Sequence, residues 1–249
     1  MTNIGIFDSG LGGLTVLRRL VKDHKANYFY LGDNKNVPYG NKEGDDIKKL
    51  SQNIVSFLEK KDIDFYIIAC NTISVIAKDY LKEKFNKDFI SITDEAIKEA
   101  LKKKGDVFVM ATKATCESHY YKENIEKKSN KKVYEKPCIK LVDLIENAYI
   151  EGKELDKALS EYLEFANKKR IENIILACTH YPIIESEIEK NLTYPAHIID
   201  PARVLNENIS FDENENTNIE IYMTDKNKKT DSMVKKIMGK DIEVKKAVL

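Results

Sequence analysis

Two short apolar runs constrain this chain more than any other feature: Ile67-Ile68-Ala69 and, far downstream, Ile175-Leu176-Ala177. Each is short, continuous and apolar. That is the pattern of a strand buried on both faces, as in a parallel sheet covered by helices. Each stops abruptly in a cysteine and small polar residues, Cys70-Asn71-Thr72 and Cys178-Thr179-His180, and then continues at helical spacing. In open parallel sheets ligands bind at the carboxyl ends of the strands. Two thiols delivered to two such ends predict a site with one sulfur on either side of a small substrate.

The remaining pattern alternates strand and helix, which predicts an α/β fold with mainly parallel sheets. Strands are expected over residues 4–7, 28–31, 65–69, 89–92 and 107–110, near Val133, and over 174–177, 197–199, 219–223 and 242–244. Amphipathic helices are expected between them, with Asp94 as the cap of the helix that the Lys102–Lys104 run and Gly105 end. Pro201 suits the first position of a helix, and 206–218 reads as a polar loop. The halves echo each other. Asp8 precedes Cys70 by 62 residues, and Thr112 precedes Cys178 by 66. We therefore expect two similar α/β lobes facing each other in a pseudo-twofold arrangement, with the site in the cleft between them. Residues 1–95 plus 206–249 would form the first lobe and 96–205 the second.

Composition excludes several alternatives. Lys plus Arg and Asp plus Glu both number 41, so the basic excess of a charge-driven nucleic-acid binder is missing. No run approaches about 18 apolar residues, and no basic-then-apolar leader precedes Ile4, so a cytoplasmic protein with no membrane span is expected. The four cysteines form no CxxC pair and no zinc-type spacing, so free thiols and no metal site are expected. The turn Asp8-Ser9-Gly10-Leu11-Gly12-Gly13 lacks the register of a dinucleotide loop, and no cofactor is expected. Only Arg18, Arg19, Arg170 and Arg203 are present, none in a strand-end loop. An anionic substrate would then be held by backbone amides and small polar side chains.

The polar groups at predicted strand ends are Asp8 and Ser9, Asp33, Cys70 with Asn71 and Thr72, Thr112 with Thr115, and Cys178 with Thr179 and His180. Two cysteines in one cleft allow a redox pair, an acyl-transfer nucleophile with His180 as base, or a pair of acid/bases on opposite faces of a carbon acid. Only the third uses both thiols across a substrate-sized gap. A free thiol ionises near pH 8.5, so each needs help. Asp8 is placed to assist Cys70 and His180 to assist Cys178. The same polar residues also suit plain helix caps. A capped helix start still offers N–H groups to a carboxylate, so the two roles are compatible.

At these residues the chain resembles the glutamate racemase family. The resemblance is carried by Gly5-Ile6-Phe7-Asp8-Ser9-Gly10-Leu11-Gly12-Gly13-Leu14, by Gly32-Asp33 with Val37-Pro38-Tyr39-Gly40, by Ala69-Cys70-Asn71-Thr72, and by Cys178-Thr179-His180-Tyr181-Pro182. Thr112, Thr115, Ser118 and Tyr120 also follow it. It implies a cofactor-independent racemase interconverting L- and D-glutamate, supplying D-glutamate for peptidoglycan, commonly as a homodimer. By position, Cys70 and Cys178 would be the catalytic acid/bases, assisted by Asp8, His180 and Glu146. Asp8, Ser9, Tyr39, Gly40, Asn71, Thr72, Thr112, Thr115, Thr179 and His180 would contact the substrate.

Three positions depart from the family's pattern: Asp94-Glu95-Ala96 where Pro-Gly is usual, Glu43 after Lys42, and Pro201 after Asp200. The chain also lacks the N-terminal extension of members activated by a cell-wall precursor, so no such activator is expected. The competing readings are a racemase of another small acid such as aspartate, a non-catalytic amino-acid-binding protein, and a thiol-dependent hydrolase.

Overall fold

The computed structural model describes residues 1–249. The first segment runs β1 (Asn3–Asp8), α1 (Leu14–Asp23), β2 (Asn27–Gly32), α2 (Gly44–Leu58), β3 (Phe65–Ile68), α3 (Asn71–Phe85), β4 (Asp88–Ser91) and α4 (Ile92–Lys102). The second runs β5 (Val107–Ala111), α5 (Lys113–Glu117), α6 (Tyr120–Glu126), β6 (Val133–Pro137), α7 (Ile139–Glu146), α8 (Lys153–Lys169), β7 (Asn173–Ala177), α9 (Glu185–Asn191), β8 (His197–Ile199) and α10 (Pro201–Asn208). The chain ends with β9 (Asn218–Met223), α11 (Lys228–Met238) and β10 (Val244–Lys246).

The strands form two sheets in which every pairing is parallel, ordered β10-β9-β2-β1-β3-β4 and β6-β5-β7-β8. The echo read from the sequence is a topological repeat, because the order β2-β1-β3-β4 recurs as β6-β5-β7-β8. In each sheet the chain lays its second strand on one side of the first and its third on the other. The order therefore reverses beside β1/β3 and β5/β7, which opens a crevice at their carboxyl ends. Asp8 and Cys70 leave one such pair of ends, and Thr112 and Cys178 leave the other.

Each sheet is buried on both faces. Val16, Leu17 and Leu20 of α1 pack on one side of the first sheet, and Ile47, Ile54, Val55 and Leu58 of α2 on the other. In the second sheet Leu155, Leu159, Tyr162, Leu163 and Ala166 make the apolar stripe of α8, while Tyr121 and Ile125 of α6 cover the opposite face. The C-terminal β9 and β10 extend the first sheet through β2. The crossover helices α4 and α10 pack on each other and supply side chains to both lobes. Ile92 and Leu205 enter the first core, and Ala96 and Val204 the second. The boundaries expected after residues 95 and 205 fall inside these two helices. Asp200 caps α10 through Ala202 N–H (2.9 Å), and its other oxygen accepts from Arg19 of α1 at 2.7 Å.

Several local expectations needed correction. The α4 cap is Ser91, whose hydroxyl accepts from Asp94 N–H at 3.1 Å. The strand therefore ends one residue earlier than expected, and the Asp94 carboxylate is left to bind Lys78 (2.7 Å) and Tyr120 (2.8 Å). The lysine-rich stretch after Lys113 is two short helices, broken where His119 adopts a left-handed φ of 50°. The helix expected over 183–192 starts as a 3₁₀ turn at Tyr181–Ile184. The last strand begins at Val244, not Ile242, and the polar loop before β9 is shortened at both ends by α10 and β9. No helix is long and apolar enough to cross a membrane.

Candidate active site

The two switch points face each other across a cavity of about 150 Å³. Its lining includes Asp8, Ser9, Tyr39, Gly40, Cys70, Asn71 and Thr72 from the first lobe and Thr112, Glu146, Cys178, Thr179 and His180 from the second. Both sulfurs therefore face one space. The lobes touch around it. A β-carbon on Gly12 would lie 2.2 Å from the Thr179 hydroxyl, and one on Gly40 would lie 2.8 Å from Thr112 Cβ. The Thr72 hydroxyl is 3.0 Å from that of Thr112 and 3.3 Å from that of Thr115. Glycine at positions 12 and 40 is what lets the two strand-end layers meet this closely.

Cys70 leaves β3 as the N-cap of α3, and no side chain caps that helix. The uncapped N–H groups at its start and the helix dipole both favour an anion there. The Cys70 thiol donates to the Ser9 hydroxyl at 3.5 Å. Burial pushes its ionisation far above the usual thiol range, and the nearby Asp8 carboxylate pushes it further. Asp8 is itself buried. It accepts from Ser9 N–H at 2.8 Å and from Gly13 N–H, just before α1. Burial raises its carboxyl above the ordinary range; His180 and these hydrogen bonds oppose that. Two groups that each resist charge stand side by side, which disfavours both being ionised at once.

The second thiol has a different escort. Cys178 Sγ lies 3.7 Å from His180 Nδ1, and His180 Nε2 lies 3.1 Å from Glu146 Oε1. Burial lowers the His180 imidazolium's titration, but the sulfur and the carboxylate outweigh it and push it up to about 10. Glu146 is held below the usual carboxylate range, chiefly by its hydrogen bond to His180. The row sulfur–imidazole–carboxylate favours the protonated ring, whereas Cys70 stands beside the Asp8 carboxyl and the Ser9 hydroxyl.

The nominated contacts do not all present their side chains to the cavity. Tyr39 lines the wall, and its hydroxyl donates to Asp33 at 2.7 Å. Asp33 does not reach the cavity. It also accepts from Asn36 (2.9 Å) and Thr224 (2.7 Å), which tie the Asn34–Asn41 loop to the strand ends. Thr115 is fully buried behind Thr112 and is not part of the lining. The Thr112 hydroxyl caps α5, accepting from Thr115 N–H at 3.4 Å.

Sequence reasoning passed over part of the wall. Ile139, Val142, Asp143 and Glu146 all line it, and they fall at i, i+3, i+4 and i+7 on one face of α7. Glu146 was nominated; helical periodicity from it would have found the others. Cys138, expected to be a buried hydrophobe, is fully buried yet contributes to the same wall. Lys113 stands at the rim with its side chain exposed. No group of three or more His, Cys, Asp or Glu side chains is arranged to hold a metal ion.

The chain is similar to known proteins along most of its length. The model of the Asp/Glu/hydantoin racemase family matches residues 7–208. The chain is 37% identical to a glutamate racemase of Persephonella marina, across 99% of this chain and 97% of that one. Its fold is similar to the crystal structure of a glutamate racemase from Francisella tularensis in complex with D-glutamate. The TM-score is 0.89 at 32% identity, covering 100% of this chain and 97% of that one. It is similar also to the glutamate racemase of Aquifex pyrophilus, with a TM-score of 0.83 at 35% identity, covering 99% and 98%.

Proposed function

Since the chain belongs to the Asp/Glu/hydantoin racemase family, we propose that it is a glutamate racemase, with Cys70 and Cys178 as its two acid/bases. The observation that carries the reading is the placement of two sulfurs from opposite lobes on one cavity, each beside its own proton partner.

In the proposed cycle one sulfur, as thiolate, takes the α-hydrogen and becomes a thiol. The electron pair left on the α-carbon delocalises into the adjacent carboxylate. The other thiol then donates its proton to the opposite face and becomes the thiolate. The substrate is inverted and the two thiols have exchanged protonation states. Asp8 beside Cys70, and the His180–Glu146 pair beside Cys178, are the groups placed to carry the proton that resets them. The substrate's α-carboxylate fits the uncapped start of α3, where helix N–H groups and the dipole favour an anion. Ser9, Gly40, Asn71, Thr72, Thr112 and Thr179 surround it with neutral donors, and Lys113 supplies a cation at the rim. Because both thiols serve as acid and as base in turn, the chemistry needs no cofactor. We read the product as D-glutamate for peptidoglycan, made in the cytoplasm by a homodimer.

The test is circular dichroism of L-glutamate with the purified protein in deuterated water, without added cofactor and with L-aspartate in parallel. Decay of the glutamate signal with deuterium at the α-carbon is the expected result. Decay with aspartate alone would move the substrate and keep the chemistry. Silence with both would overturn the reading.

A further inference from the structure

We propose that Tyr30 is a positioning residue for the first thiol: its buried hydroxyl holds the Asp8–Gly13 turn in the shape that sets the Asp8 carboxyl and the Ser9 hydroxyl beside Cys70. The inference rests on the reading of the cavity as a glutamate site.

Asp8, Ser9 and Gly10 of this turn line the cavity. The Ser9 hydroxyl accepts from the Cys70 thiol at 3.5 Å and lies 3.4 Å from Asp8 Oδ1. The Asp8 carboxylate fastens the two ends of the turn, accepting from Ser9 N–H and from Gly13 N–H. The middle is fastened by the neighbouring strand. Tyr30 of β2 donates its hydroxyl to the Gly10 carbonyl at 2.8 Å. The Leu14 N–H, at the start of α1, interacts with the same phenol oxygen. A β-carbon on Gly13 would lie 3.0 Å from that oxygen, and one on Gly32 would lie 2.3 Å from the Gly10 carbonyl oxygen. The backbone is thus wrapped closely round one hydroxyl, with glycine where a side chain would push it away.

Tyr30 is fully buried and does not line the cavity, so it acts through the backbone rather than on the substrate. Burial keeps the phenol protonated, and the hydroxyl therefore remains a donor. Without it the buried Gly10 carbonyl loses its donor, a costly state that a turn relieves by rotating the peptide toward another. Gly10 follows Ser9 directly, so that rotation carries the Ser9 hydroxyl away from the thiol. The Gly12 end of the turn is held separately, by Thr15 N–H on the Gly12 carbonyl and by Gly13 N–H on Asp8. Cys178 has its own escort in His180 and Glu146 of the second lobe. The effect of Tyr30 therefore falls on one thiol.

The test reads each thiol alone, as exchange of solvent deuterium into the α-carbon at saturating glutamate, where a change in binding common to both drops out. In Cys178→Ser the exchange reports Cys70. Adding Tyr30→Phe should slow it about ten- to hundredfold, as a displacement of about 1 Å would. In Cys70→Ser the exchange reports Cys178, and the same substitution should change it by less than about twofold. A general loosening of the fold would slow both. Hydrogen exchange of the Ser9–Leu14 amides needs no substrate and should quicken at least about tenfold in Tyr30→Phe. Gly32→Ala crowds the same carbonyl from the other side and carries the comparison if Tyr30→Phe folds poorly. An equal loss from both thiols, no loss from Cys70, or unaltered amide exchange overturns the positioning role. A wild-type protein that exchanges no deuterium into glutamate overturns instead the reading on which the inference rests, and the amide exchange still decides for or against the Tyr30 clamp.

Discussion

Glu146→Gln isolates the electrostatic part of the second relay, because it keeps shape and hydrogen-bonding capacity and removes one charge. The carboxylate lies 3.1 Å from His180 Nε2, but its side chain is 40% exposed. Solvent therefore screens the pair, and its contribution is that of a water-side contact, about 1 kcal/mol. At 1.36 kcal/mol per pH unit, losing it lowers the imidazolium's titration by roughly 0.7 pH unit, from about 10 toward about 9.3. If the protonated imidazole supports Cys178, kcat/KM at pH 8 should change by less than about 1.5-fold and at pH 10 should fall about threefold. The loss must be equal in both directions, since the equilibrium constant of a racemisation is one.

The assay is the pH profile of kcat/KM from each enantiomer, alongside NMR titration of the four histidines. Stability supplies a second readout of fixed sign. A histidine whose folded titration is raised stabilises the fold fully below its unfolded value near 6.5, and loses that contribution as pH rises through about 10. The Tm deficit of Glu146→Gln should thus be largest near pH 6 and vanish above pH 10. An unmoved basic limb with an unmoved His180 titration would refute the reasoning. So would a uniform loss across pH 6–8, which would assign Glu146 some task other than holding that charge.

Three further outcomes are expected. Cys70→Ser and Cys178→Ser should each abolish racemisation with an unchanged far-ultraviolet spectrum. Each remaining thiol should still exchange solvent deuterium into one enantiomer only, opposite between the two variants, so exchange into both by either variant would contradict a sulfur on each face. Gly12→Ala places a methyl 2.2 Å from the Thr179 hydroxyl and 3.0 Å from His180, so the lobes must part there. Its kcat/KM should fall at least tenfold, within the roughly 1–3 kcal/mol of overpacking, and wild-type kinetics would show that the contact is not needed. Arg19→Met leaves the fully buried Asp200 carboxylate without its 2.7 Å partner, and Tm measured at pH 7 should drop by an amount corresponding to about 2–4 kcal/mol. A shift of less than about 0.5 kcal/mol would mean that the pair does not secure α10.

Much of the architecture could be read locally. The runs ending at Ala69 and Ala177 are too apolar to face water, so burial between helices follows from composition alone. The spacing of the two halves likewise made a repeat visible before any strand was paired. Local reading failed where two chemically acceptable answers competed. Ser91 and Asp94 are both good caps. Ser91 takes the role because Asp94 has Lys78 and Tyr120 within reach, and those partners come from α3 and α6. Tyr39 lines the cavity as expected of a substrate contact, but only the tertiary structure shows its hydroxyl held by Asp33. Glu146 could be nominated only through resemblance, since nothing near it in sequence signals that His180 lies 3.1 Å away.

The sequence by itself determined the fold class, the two cysteine-bearing strand ends and the kind of chemistry that two thiols permit, because periodicity and residue type act over a few neighbours. The tertiary structure alone decided which groups stand close enough to shift each other's titration or to share a hydrogen bond. Asp8 and Cys70 are 62 residues apart, Glu146 and His180 are 34, and Asn71 and Tyr121 are 50. Their protonation and orientation depend on burial and on distances of a few ångströms. The first two pairs form within one lobe as its strand ends are assembled, and the third forms only where the lobes meet, as they do at Gly12 on Thr179 and Gly40 on Thr112.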